Sequence, residues 1–246
     1  VTRLTFDPDN HAYRLDGRRL KSVTTIVGQL NKPQLVDWAA RTAAEYAVDH
    51  WEDLSLQTPS TRLQEISRAH NLARDRKASA GTAIHTMAEA LLRGDPVQVP
   101  PSMAGKVEGL AKWIELSGIT VIHSECPVWT APDDDYLLPG YAGTFDAIVS
   151  DPNRGVGLVD WKTGKAIYGD VGCQLAGYRQ ADWMVDQGED AYMLQVDWLG
   201  AVHVQVGFSD LHTLSDDQAD AAAERFTILR RLAGTREPKF RLEVTG

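Results

Sequence analysis

Cysteine is nearly absent from this chain: two residues in 246, Cys126 and Cys173, each in an apolar context. Two are too few for a disulfide framework, so the fold must rest on an ordinary buried core. Long hydrophobic runs are missing too. No stretch approaches the roughly eighteen apolar residues a membrane span needs, and Val1 to Asp7 lack the apolar centre of a signal peptide, so a cytoplasmic protein with no membrane partner is expected. Positive charge is in short supply, 25 Lys and Arg against 34 Asp and Glu, a net charge of −9. That balance argues against general nucleic-acid affinity, which depends on lysines and arginines beside phosphates. Repeats, low-complexity tracts and Pro/Ser linkers are also lacking, and the length suits one substantial core. A single domain over 1–246 is expected, with an N-terminal hairpin and mainly helical region to 118 and a sheet-containing core over 119–246.

What stands out is Gly143-Thr144-Phe145-Asp146-Ala147-Ile148-Val149, followed after a short turn by Gly157-Leu158-Val159-Asp160-Trp161-Lys162. Both segments read as strands. Side chains i and i+2 of a strand share a face, so Asp160 and Lys162 project together and Trp161 projects away. The turn former run Ser150-Asp151-Pro152-Asn153-Arg154-Gly155 makes the strands antiparallel neighbours, which brings Asp146 close to Asp160. Two carboxylates and an amine in one small apolar volume conflict unless something compensates them, and a divalent cation does so. Oxygen-only ligands suit a hard ion, Mg²⁺ or Mn²⁺, and not zinc. The plainer alternative is an exposed ion pair on an edge strand, which the apolar flanks oppose. Gly164-Lys165 is followed by Ala166, so it is no phosphate-binding P-loop.

Asp146 with Asp160-Trp161-Lys162 resembles the bipartite metal-binding motif of the PD-(D/E)xK nucleases, although Phe145 stands where that motif has proline. Gly81-Thr82-Ala83-Ile84-His85 is similar to the G-T-x-x-H helix of the RecB-like exonuclease branch, and Gln174-Leu175-Ala176-Gly177-Tyr178 to its Q-x-x-x-Y helix. These blocks span about 40% of the chain, His85 to Tyr178. The opening, Ser22 to Ile26 and the helix from Pro33, is similar to RecB-like exonucleases of bacterial viruses. The resemblance implies a restriction-endonuclease-like α/β core, a mixed sheet flanked by helices. It implies Asp146, Asp160 and Lys162 as catalytic residues, and His85, Asp146, Asp160 and the Trp161 carbonyl as ligands of Mg²⁺ or Mn²⁺. Some RecB-like nucleases carry an iron-sulfur cluster on four cysteines, which two cysteines cannot supply.

His85 and Glu89 lie four apart on one helical face, so Glu89 is a further candidate around the metal, and Glu125 is another from the first core strand. Gln174 and Tyr178, also four apart, could contact phosphate, order the lysine, or form an interior polar pair. Charge is unevenly spread. Residues 120–162 hold seven acids against two bases, whereas 60–77 hold five bases against two acids and 225–241 six against one. Arg74, Arg76 and Lys77, with Arg230, Arg231 and Lys239, are therefore candidate DNA-backbone contacts; the alternative is two solvated helix faces.

Along the chain, residues 3–21 read as a hairpin, Ser22 caps a short helix reaching Leu30, and Pro33 opens a longer one. A helix from Thr61 to about Ala78 should break at Ser79-Ala80-Gly81 before the His85 helix, which ends at Gly94. Further helices are expected over 102–117, 169–185 and 215–233, with a hairpin of Tyr192–Trp198 and Val202–Val206 turning at Leu199-Gly200-Ala201. The function expected is a metal-dependent DNA exonuclease that processes linear ends, duplex or single-stranded, in recombination or repair, in a bacterial or phage-infected cell. A single-strand annealing or recombination partner and an oligomer accord with the resemblance. Two alternatives stand beside it: a catalytically silent nuclease-fold DNA-binding or scaffold module, and a related hydrolase acting on RNA.

Overall fold

The structure, a computed structural model, describes residues 2–8, 10–133 and 138–235. Two compact units partition the chain: Val1–Gln29 together with Ala88–Gly246, and Leu30–Met87.

The first unit is built on a ten-stranded mixed sheet flanked by helices, as expected. It opens with β1 (Leu4–Asp7), β2 (Ala12–Leu15) and β3 (Arg18–Ser22), an antiparallel meander and not the single hairpin expected. The missed strand follows a two-residue turn, Asp16-Gly17, with φ of 48° and 80°. Such a turn matches the twist of a hairpin, but Arg18-Arg19-Leu20-Lys21 carries too much charge to show strand alternation. Beyond it, β3 runs parallel to the start of β5 (Tyr141–Asp151) through Lys21↔Tyr141 and Ser22↔Ala142. β5 is antiparallel to β4 (Thr120–Thr130) on one edge and to β6 (Gly155–Lys162) on the other. β6 then runs parallel to β9 (Trp198–Val204), which pairs with β10 (Ser209–Thr213).

Two expectations over 169–206 are corrected. The helix α6 spans Asp170–Arg179 and stops short of Val185; β7 (Trp183–Asp186) and β8 (Glu189–Tyr192) follow as a hairpin. Its turn, Gln187-Gly188, has φ of 48° and 82°, so local backbone chemistry overrides the helical spacing of Met184 and Val185. The expected turn at Leu199-Gly200-Ala201 lies inside β9, and the chain reverses between Val204 and Ser209, with Gly207 at φ 82°. Gly200 is needed for closeness and not for turning: a Cβ there would fall 2.9 Å from Leu211 Cδ1 and 3.0 Å from the His212 carbonyl oxygen.

Helices cover this sheet. Ser22 caps α1 (Val23–Val27) by accepting the Thr25 N–H at 3.0 Å, and α5 (Ala104–Ser117) ends at Gly118 in the left-handed region, φ 66°. The last helix of the described chain, α7 (Asp216–Gly234), starts with a reciprocal capping box between Ser215 and Gln218. Phe145, Ile148, Leu158, Trp161, Leu175 and Phe226 are essentially inaccessible to solvent, and each such side chain contributes about 1.5–3 kcal/mol on burial.

In the second unit, α2 (Pro33–Asp49) and α3 (Trp51–Ser55) precede most of α4 (Pro59–Arg93), whose residues from Ala88 belong to the first unit. The break expected at Ser79-Ala80-Gly81 is absent: α4 is one helix of 35 residues. Ser79, Thr82 and Thr86 turn their hydroxyls back onto the carbonyls four residues earlier, so none caps a new helix, and Gly81 costs only about 1 kcal/mol in a helix interior. Among the described residues, no helix is long and apolar enough to cross a membrane.

Candidate metal centre

The site lies where the sheet is interrupted. β4 flanks β5 along one edge, while the other edge is taken by β3 at Tyr141–Ala142 and by β6 at Ala147–Asp151. Among the described residues, no strand therefore pairs with Gly143 to Asp146 on that edge. The last rung between β5 and β6 is Ala147↔Val159; beyond it β6 continues with β9 through Asp160↔Ala201 and Lys162↔His203. The Asp146 side chain takes over from the ladder. Its Oδ2 accepts the Trp161 backbone N–H at 2.7 Å, so the carboxylate is held at the point of divergence. Asp146 is 9% exposed and Asp160 1%. Burial this deep rules out the exposed edge-strand ion pair.

Lys162 and Asp160 share a face of β6, as the period of two requires, and the ammonium pairs directly with Asp160 Oδ2. Trp161 points to the other face, where its ring meets Trp113 of α5 edge-on with centroids 6.2 Å apart. From α6, Gln174 ties the cluster together. Its Nε2 donates to Asp160 Oδ1 at 3.0 Å and to the Tyr178 hydroxyl at 3.2 Å, and its Oε1 accepts from Lys162 Nζ at 3.4 Å. The polar pair expected of Gln174 and Tyr178 thus joins the acid-lysine pair. Burial pushes the Tyr178 phenol well above its ordinary range, and the negative charges of Asp160 and Asp146 push it further, so it stays neutral.

Two contributors were not singled out in the sequence. Gly143 leaves room for the Tyr178 ring: a Cβ there would sit 2.7 Å from Tyr178 Cε1. Tyr13, from β2, shares a 2.8 Å hydrogen bond with the Thr144 hydroxyl within the open stretch of β5. The glycine was visible in Gly143-Thr144-Phe145-Asp146, but its partner is on an element 35 residues away, and no local pattern signals that pairing.

Glu125 lies between the rungs Ser124↔Ala147 and Cys126↔Phe145, opposite Asp146, and carboxylate oxygens of the two lie within 4.8 Å of each other. Its φ of 48° is left-handed, which costs a non-glycine residue about 1–2 kcal/mol. Glu89 accepts from Arg93 Nη2 at 2.7 Å and from the Ser124 hydroxyl at 3.2 Å, which fastens the end of α4 to β4. His85 is on α4 one turn before Glu89 and belongs to the second unit. Asp146 and Glu125 bring carboxylate oxygens within 4.8 Å of each other, and Asp160 stands on the adjoining strand against Lys162, so the carboxylates of the first unit offer oxygen donors with one lysine beside them. That set fits a hard divalent ion.

The candidate phosphate contacts differ in their surroundings. Arg74, Arg76 and Lys77 are exposed on α4; Arg74 pairs with Asp75, and Lys77 Nζ lies 4.8 Å from the Trp38 ring centroid. Arg230 is engaged within the first unit, where it donates to the carbonyls of Pro139 at 2.7 Å and Ala131 at 3.3 Å and lies over the Tyr141 ring. Arg231 is exposed, and Lys239 falls outside the described residues.

No protein-family model matches the chain, and no curated protein does. Among solved structures, one described as "Crystal structure of SSO0001" aligns over 89% of this chain and 78% of its own, at 13% identity and a TM-score of 0.35, a likeness too slight to carry an argument.

Proposed function

We propose that the protein is a metal-dependent DNA nuclease that hydrolyses phosphodiester bonds from the ends of linear DNA. The observation that carries this reading is the convergence of Asp146, Asp160, Lys162 and Gln174, from two strands and a helix, at the break in pairing beside β5. Asp146 and Asp160 hold Mg²⁺ or Mn²⁺ in this reading, with Glu125 beside them and the Trp161 carbonyl completing the set on the strength of the family resemblance. When bound, the ion supplies Lewis-acid polarisation of the phosphate and a water of lowered pKa.

The chain's own groups do the rest. Asp160 pairs with the Lys162 ammonium, which suits the lysine to orient a water and to stabilise negative charge building on the phosphate oxygens. Gln174 grips both members of that pair, which fixes the lysine's direction, and the neutral Tyr178 closes the inner wall without adding a third negative charge. A silent scaffold would have no use for a buried acid pair and its lysine, and the cost of burying them favours a working site.

Incubation of purified protein with end-labelled linear DNA, closed circular DNA and RNA, each with Mg²⁺, Mn²⁺ or a chelator, tests the proposal. Metal-dependent loss of linear DNA with circular DNA spared is expected. Cleavage of RNA alone would move the reading to a ribonuclease, and metal-independent or absent cleavage would overturn it.

A further inference from the structure

One strand beyond the acid-lysine pair, the same face of the sheet carries a second set of ligands. The parallel register Asp160↔Ala201 and Lys162↔His203 puts His203 of β9 on that face, and the antiparallel register His203↔Asp210 and Ala201↔His212 extends it to Asp210 and His212 of β10. One ligand atom from each of His203, Asp210 and His212 lies within 4.8 Å of the others. We propose that these three side chains form a transition-metal site, for Zn²⁺ or a similar borderline ion, distinct from the hard-ion centre at Asp146 and Asp160.

Three features favour a metal over a mere polar cluster. First, the donor set is two imidazoles and one carboxylate, which suits borderline divalent ions and not Mg²⁺ or Ca²⁺. Second, the supporting bonds are those of a metal site. His203 is 7% exposed, and its Nε2 lies 2.8 Å from the Gly164 carbonyl oxygen, which holds that nitrogen as the donor and leaves Nδ1 with its lone pair. A ligating histidine characteristically gives its second N–H to a carbonyl in this way. Asp210 is steadied too, because its Oδ1 accepts from Gln205 Nε2 at 3.2 Å.

Third, the opening is right for an ion that keeps solvent ligands. Side-chain exposures of 51% for His212 and 44% for Asp210 leave the outer side to water, while His203 forms the floor. His212 Nε2 and Asp210 Oδ2 face each other at 2.5 Å, across the place a metal would take. Ligand atoms around tetrahedral zinc stand about 3.4 Å apart, from bonds of about 2.0–2.1 Å, so ligand atoms already within 4.8 Å of one another need only a small closure to hold an ion. The Gly164 carbonyl is two residues past Lys162, so the ion would also steady the loop leaving the lysine strand.

The test is Zn²⁺ titration of the full chain in competition with a chromophoric chelator, with excess Mg²⁺ present to occupy the hard-ion centre. Parent protein, H212A, D210N and a D146N/D160N double variant are compared, with circular dichroism to show that each is folded. One zinc per chain is expected in the parent and in the double variant, with affinity at least about 10²-fold weaker in H212A and in D210N. Because both exposed residues lie outside the core, their replacement leaves the fold intact. Parent affinity in H212A or in D210N would overturn the site, as would zinc lost only in the D146N/D160N variant or no zinc bound at all. These outcomes do not depend on whether DNA is cleaved.

Discussion

At the scale of the residue, the account turns on what each polar group beside β5 would leave behind if removed. Asp146→Asn or Asp160→Asn keeps the shape of the side chain but removes a buried carboxylate charge, so DNA cleavage should vanish in both; Asp160→Asn also strips Lys162 of its partner and should lower the thermal midpoint while the protein remains folded. Lys162→Ala should slow cleavage by about 10²- to 10³-fold, the typical cost of one transition-state donor; a loss under tenfold, measured in single-turnover rates, would make the lysine peripheral. Cys126 offers a check away from the site. Burial pushes its thiol up to about 11, and its Sγ donates to the Val185 carbonyl at 3.0 Å. The folded value exceeds the unfolded one, so this stabilising contribution is complete below about pH 9 and is lost as pH rises through about 11. Urea midpoints should therefore fall over that window less in Cys126→Ala than in the parent. Asp160 and Lys162 were readable from the alternation of a strand and Asp146 from a short turn, because all three depend on neighbours close in sequence. Gly143 and Tyr13 were not, because their partners come from distant elements.

At the scale of the element, glycine marks where pieces press together. Gly177 of α6 lies under Phe226 of α7, where a Cβ would come within 2.5 Å of the ring, so Gly177→Ala should destabilise by about 1–3 kcal/mol, read as a lower urea midpoint with an unchanged slope. A shift below about 0.5 kcal/mol would mean that the two helices do not need this closeness. The helices with clear stops or caps, such as α5 at Gly118 and α7 at Ser215, were legible. Misreadings arose where one residue type serves two purposes. Ser79 and Thr82 look like caps but bond back within α4, and Gly200 looks like a turn but makes room for β10. The β7–β8 hairpin depended on a left-handed Gln187, a conformation that residue type does not advertise.

At the scale of the whole molecule, the proposed function raises the question of how a chain of net charge −9 would hold a polyanion. If Arg74, Arg76 and Lys77 line the phosphate path, replacing all three with alanine should weaken binding equally on unrelated sequences and flatten the slope of log affinity against log salt by about 0.9 per contact on duplex DNA. An unchanged slope would return them to a solvated face of α4. Arg230 should behave differently, because its guanidinium is bound to the carbonyls of Pro139 and Ala131: Arg230→Ala should lower stability and leave the slope alone.

The most direct test of the central claim sets the parent against Asp160→Asn on end-labelled linear duplex DNA in Mn²⁺, with unfolding of both proteins followed in parallel. The account predicts progressive loss of the label in the parent, none above background in the variant, and a folded variant. Cleavage by Asp160→Asn at the parent rate would contradict the assignment of the site at the break beside β5.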